Sequence, residues 1–182
     1  TVAEGRAVCD AVRRTGRVFQ AGTQQRSDGN FRLACELARN GYLGQLQRVV
    51  VAVPAGPRPP LLPVEAPPAD LDYELWLGPS PLKPHRRGLC TYNWYFVTDY
   101  CAGWIQSWGV HHMDIALWGA PQLMASTLTV EGTATFPDSG TAAVAVRWQT
   151  RMPAPDGLSL ESHDDRSGPF GHGVRFIGDR GW

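Results

Sequence analysis

A chain of 182 residues, 43% of them hydrophobic, is long enough for one sizeable core, alone or with part of a second domain. Its 17 basic and 17 acidic residues cancel, which argues against a nucleic-acid-binding or anionic-membrane-binding protein. No apolar run approaches the roughly 18 residues of a transmembrane helix, and Cys9, Cys35, Cys90 and Cys101 form no CxxC pair, so a membrane partner, a zinc motif and a redox motif are not expected.

Thr1 and Glu4 match a capping box, predicting a helix that stops at Gly16. The opening lacks Met, and an upstream leader or domain is expected. Arg17–Ala21 reads as a short strand with Val18 and Phe19 buried, ending in the polar loop Gly22–Arg26. Asp28 is placed to start a second helix, with Phe31, Ala34, Cys35, Leu37 and Ala38 at helical spacing before Asn40 and Gly41. Gln45–Val53 reads as a long strand. Seven prolines between Pro54 and Pro68 cannot serve a packed helix or strand, so this segment is expected to be an extended loop ordered by docking. Asp70–Leu77 reads as a short helix. Five of the seven tryptophans, Trp76, Trp94, Trp104, Trp108 and Trp118, crowd the middle of the chain.

Trp104–Trp118 has helical spacing, and the last third changes to period two. Strands are expected at Ala125–Phe136, Thr141–Thr150, Leu158–Ser162 and His172–Ile177. The order points to an α+β fold, an open and largely antiparallel sheet covered by helices on one face. Apolar Val144, Val146 and Trp148 then predict a sheet face that needs a cover, namely a second copy of the chain.

The chemistry-bearing cluster is Trp108-Gly109-Val110-His111-His112-Met113-Asp114. His111 and Asp114 share a helix face, and a histidine beside a carboxylate is suited to acid–base work. The same residues also suit a pair of half-buried histidines packed between tryptophans. A metal site is disfavoured because adjacent histidines on a helix diverge by about 100° and no i, i+4 histidine pair is present. Gln24, Gln25 and Arg26 read either as a solvated loop or as a ligand-facing one. Asn93 and Trp94 suit a sugar ring, and equally suit core or interface packing.

The stretch Asp99–Asp114 resembles a signature of the Gfo/Idh/MocA oxidoreductases: a glycine pair, an aspartate, then Gly-x-His-x-x-Asp. Residues 17–46, 71–81 and 173–182 resemble further segments of that family. The resemblance implies hydride transfer between NAD or NADP and a hydroxyl-bearing carbon of a sugar or cyclitol. It makes His111 and Asp114 the catalytic pair, with Gln24, Arg26, Asn93, Trp94 and Ser107 facing substrate and Gln24 and Gln25 near the cofactor. It also divides the chain into residues 1–27, the end of a Rossmann domain, and 28–182, a substrate-binding and oligomerisation domain. A cytoplasmic location is expected.

Two departures stand out. The family's aspartate aligns with Ser107, and its Glu-Lys-Pro motif and glycine-rich loop are not in this sequence. The isolated chain is therefore expected to be inactive. A non-catalytic carbohydrate-binding or assembly domain is the alternative.

Overall fold

The computed structural model describes residues 1–58, 60–125 and 127–182. Helix α1 (Val2–Thr15) carries the expected capping box of Thr1 and Glu4 and ends on left-handed Gly16, φ 63°. None of its residues is buried. The predicted strand at Arg17–Ala21 does not form: Val18 is 99% and Phe19 64% exposed. A strand exists only as a ladder with a neighbour, and among the described residues none pairs with this segment.

Asp28 caps helix α2 (Gly29–Arg39) through the backbone N–H groups of Asn30 and Phe31. Strand β1 (Leu46–Val53) follows, and the proline-rich segment after it docks along the protein as expected. Gly56 N donates to Val146 O, Leu62 N to Thr141 Oγ1, and Arg87 N to Pro63 O. Short helix α3 (Tyr73–Leu77) is capped by Asp72. The helix expected from Trp104 starts later. A 3-10 turn, Gly103–Ile105, precedes α4 (Trp108–Gly119), because Gly103 sits at φ 73° with Val144 packed where a side chain would be.

Strands β2 (Glu131–Thr135), β3 (Arg147–Pro153), β4 (Ser159–Asp164) and β5 (Gly173–Gly178) complete the sheet. The order is β2-β3-β4-β1-β5; β1 runs parallel to β4 and the other pairings are antiparallel. The α+β reading therefore holds, with some strand limits displaced. Residues 141–146 are irregular rather than a strand, because Ala143 N pairs with Phe96 O beneath the aromatic cluster of Tyr92, Tyr95, Phe96 and Trp104.

Helices α2 and α4 cover one face of the sheet. Cys35, Ala38, Ile115 and Ala116 meet Val49, Val51, Leu160 and Phe176 there. Buried positions of α4 fall at Gly109, His112, Ile115, Ala116 and Gly119, the spacing of a helix with one face packed. Val144, Val146 and Trp148, expected to need a partner subunit, are all buried within the chain. Trp104 packs against Trp148, and Tyr95 and Trp104 pack beside Val144. The opposite sheet face carries charge instead. Glu131, Arg151 and Glu161 are direct cross-strand neighbours, and Glu161 holds Arg48 through two hydrogen bonds.

Candidate functional site

The site is assembled where the 3-10 turn Gln24–Ser27 meets α4. The short turn leaves its side chains free to reach sideways, and Asp28 then starts α2, so the turn is anchored at one end. Arg26 Nε and Nη2 donate to the two carboxylate oxygens of Asp114, each at 2.7 Å. The guanidinium also lies 5.4 Å from the centroid of the Trp118 ring. One residue earlier, Gln25 Oε1 is 3.0 Å from His112 Nδ1. Two side chains of the turn thus clamp two residues of α4 on adjoining faces.

His112 is 2% exposed. Phe31, Trp108 and His172 surround its ring, with centroids at 5.9, 6.1 and 4.7 Å. With a carbonyl-type oxygen as partner, Nδ1 carries the proton and donates, which leaves the Nε2 lone pair as an acceptor. That buried nitrogen has no hydrogen-bond partner. Burial, followed by the neighbouring His172 and His111, lowers the His112 pKa from 6.5 to about 4. The imidazole is neutral at physiological pH, a fixed acceptor beneath the exposed ring of His172.

The predicted residues separate into two groups. Gln25, Arg26 and Asp114 come together, as the loop-to-helix contacts show. His111 is half-buried beside them, and among the described residues no hydrogen bond or ion pair engages it. Ser107 occupies the N-cap position of α4, but its side chain caps nothing. Gln24 is exposed. Asn93 and Trp94 are elsewhere engaged. Asn93 Nδ2 donates to Gly88 O at 3.1 Å, and Trp94 lines a cleft of about 250 Å³ with Trp76, Ser80 and Tyr100, none of them on α4. Asp114, expected to be one of the catalytic pair, spends both carboxylate oxygens on Arg26.

Sequence reasoning gave His112 no catalytic or binding role and read His172 only as the start of a strand. The divergence of adjacent histidines on a helix, used there only against a metal site, was the signal that could have found an inward-turned one. Nothing local signals His172, which reaches the site only because β5 lies beside β1.

A dinucleotide needs backbone N–H groups for its pyrophosphate. Among the described residues no G-x-G-x-x-G turn opens a helix, and the first turn of α1 is closed by the Thr1 hydroxyl and the Glu4 carboxylate. The residues present do not fit that group. The unpartnered His112 Nε2 is closed off from solvent.

Residues 59–159, more than half the chain, match the family model described as the oxidoreductase family, C-terminal alpha/beta domain. No curated protein matches the sequence. Among solved structures, the aldose-aldose oxidoreductase from Caulobacter crescentus complexed with glycerol is 17% identical, with a TM-score of 0.64 over 100% of this chain and 45% of that one. GenD2 from gentamicin A biosynthesis, in complex with NAD, is 19% identical, with a TM-score of 0.63 over 100% and 43%. A super-repressor mutant of Gal80p from Saccharomyces cerevisiae is 12% identical, with a TM-score of 0.62 over 98% and 43%. At these identities the likeness is one of fold, and the chain spans less than half the length of each structure.

Proposed function

Because the chain belongs to the Gfo/Idh/MocA oxidoreductase family, we propose that it supplies the substrate-side domain of an NAD(P)-dependent oxidoreductase acting on a hydroxyl-bearing carbon of a sugar or cyclitol. The supporting observation is half-buried His111 near the start of α4, whose neighbour His112 is buried, neutral and tied by Gln25 to the Gln24–Ser27 turn. In this reading a nicotinamide held by a separate nucleotide-binding domain would supply the hydride exchange, and this chain's residues handle the hydroxyl. His111 moves the hydroxyl proton. His112 is a positioning residue: its ring, held by Gln25 and packed on Phe31 of α2, fixes the part of α4 that carries His111. Asp114 is a positioning residue: through Arg26 it fixes the Gln24–Ser27 turn, whose exposed Gln24 would face a cofactor held by the nucleotide-binding domain.

Residues 1–27 are proposed to end a nucleotide-binding domain. Val8, Val18 and Phe19 are 43%, 99% and 64% exposed, an apolar surface that a neighbouring domain would cover. A second copy is proposed to cover the open sheet face. Across the strands its charges run Glu131, Arg151, Glu161, Arg48, and a two-fold axis lying between the two faces, parallel to the strands, sets each charge opposite its complement. Among the described residues no helix is long and apolar enough to cross a membrane, and a cytoplasmic location is part of the same proposal.

The test uses a protein carrying this chain together with its nucleotide-binding domain. Reduction of NAD⁺ or NADP⁺ is followed with a panel of sugars and cyclitols. Activity that His111→Ala lowers at least tenfold and Ser107→Asp raises supports the oxidoreductase. Calorimetric sugar binding without turnover by any panel member favours instead a carbohydrate-binding or assembly domain, a reading motivated by Ser107 at the family's aspartate position.

A further inference from the structure

The topology brings three arginines from separate segments to one end of the sheet. Strands β1 and β4 are parallel, with Val53 beside Asp164, so the segments leaving them emerge side by side. Strand β3, antiparallel to β4, begins at the same end. Arg58 follows β1, Arg166 follows β4, and Arg147 starts β3. All three line a cleft of about 650 Å³, with Tyr92 and Trp104 also on its wall. That volume lies within the range of about 300–1,000 Å³ usual for small-molecule sites.

The positive charge there is not fully neutralised. Arg147 Nε is 2.8 Å from Asp164 Oδ1. Asp164 is fully buried and also accepts from Trp148 N, Arg166 N and Ser167 Oγ. Its capacity is used internally. The neighbouring Asp165 carboxylate accepts from Ala55 N at 3.0 Å. Among the described residues no ion pair engages Arg58 or Arg166. The chain as a whole has zero formal net charge, so this surplus is local.

The approach of the strap to the sheet is built in. Gly56 N donates to Val146 O at 2.9 Å, and a Cβ on Gly56 would lie 3.0 Å from Val146 Cα. A side chain at Gly56 would press on the Val146 backbone, and Pro54 and Pro57 stiffen the strap on either side. Opposite, Tyr92 and Trp104 pack edge to face at 5.9 Å. Planar guanidinium groups recognise carboxylate and phosphate oxygens in pairs, and aromatic faces accept the apolar face of a ring.

We propose that this cleft binds the anionic group, carboxylate or phosphate, of a small ring-bearing molecule, with Arg58 and Arg166 on the anion and Tyr92 and Trp104 against the ring. The proposal stands apart from the oxidoreductase reading, since it uses none of the residues given roles there.

The test is calorimetry and tryptophan fluorescence on the 182-residue chain at low salt, titrated with inorganic phosphate, a hexuronate and the matching neutral hexose. At least one anion is expected to bind, at least tenfold more tightly than the hexose. Arg58→Ala and Arg166→Ala each weaken that binding about tenfold or more. Both arginines are exposed, and circular dichroism checks that the variants fold. Binding of hexuronate alone assigns the cleft to a carboxylate, and binding of phosphate assigns it to phosphate. Failure of both anions to bind, equal binding of the hexose, or full binding by the folded Arg58→Ala/Arg166→Ala double variant overturns the proposal.

Discussion

Arg26 and Asp114, 88 residues apart in the chain, meet in a two-pronged ion pair that ties the Gln24–Ser27 turn to helix α4. The Asp114 side chain is 21% exposed and that of Arg26 44%. The pair is therefore partly screened, but its geometry is good and the Trp118 ring supports the cation. Arg26→Ala is expected to cost about 1–2 kcal/mol. Asp114→Asn should cost a similar amount, and a double-mutant cycle by urea denaturation should show coupling between them. Additive single effects would mean that the pair is not formed in solution.

His112 makes folding pH-dependent. Its folded pKa is lowered from 6.5 to about 4. Between those values the unfolded chain binds the proton and the folded chain does not. Stability is therefore full above pH 6.5 and falls as the pH drops towards 4; below that both states are protonated and the loss levels off. The full loss is of order 3 kcal/mol. Urea midpoints measured from pH 7.5 to 4 should show this slope, and His112→Gln should flatten it.

Gly119 ends α4 directly against the core. A side-chain carbon there would overlap the buried ring of Phe176 on β5. Alanine is the better helix former by about 1 kcal/mol, yet Gly119→Ala should destabilise by about 1–3 kcal/mol through overpacking. A thermal melt decides it. An unchanged or raised Tm would mean that the helix can shift away from the sheet without cost.

The alternating charges of the open sheet face predict an association that weakens with salt. Light scattering or sedimentation should find a dimer at low ionic strength that dissociates as NaCl is raised past the screening range. Arg151→Glu should shift the equilibrium to monomer, and Arg151→Glu with Glu161→Arg should recover the dimer in part. A salt-independent monomer at high concentration would remove the self-complementary face from consideration.

The elements that local chemistry controls were legible in the sequence. The Thr1–Glu4 capping box, the Gly16 stop, the Asp28 cap, the apolar run of β1 and the proline-rich strap all stand where residue type placed them. The α+β class followed from the change of period along the chain. Pairing decided the rest. Arg17–Ala21 has strand-like residues but no neighbour among the described residues to form a ladder with. Val144, Val146 and Trp148 looked like a face awaiting a partner, until the aromatic segment near Trp104 folded back over them. At the candidate site, composition and spacing marked the Gln24–Arg26 turn and the His111–Asp114 helix separately. That Asp114 would spend its charge on Arg26, that His112 would be the buried histidine under His172, and that three arginines would meet at one end of the sheet depended on contacts tens of residues apart. Spacing along a chain constrains neighbours within a few residues; the rest depended on the strand order β2-β3-β4-β1-β5, which only the tertiary structure supplies.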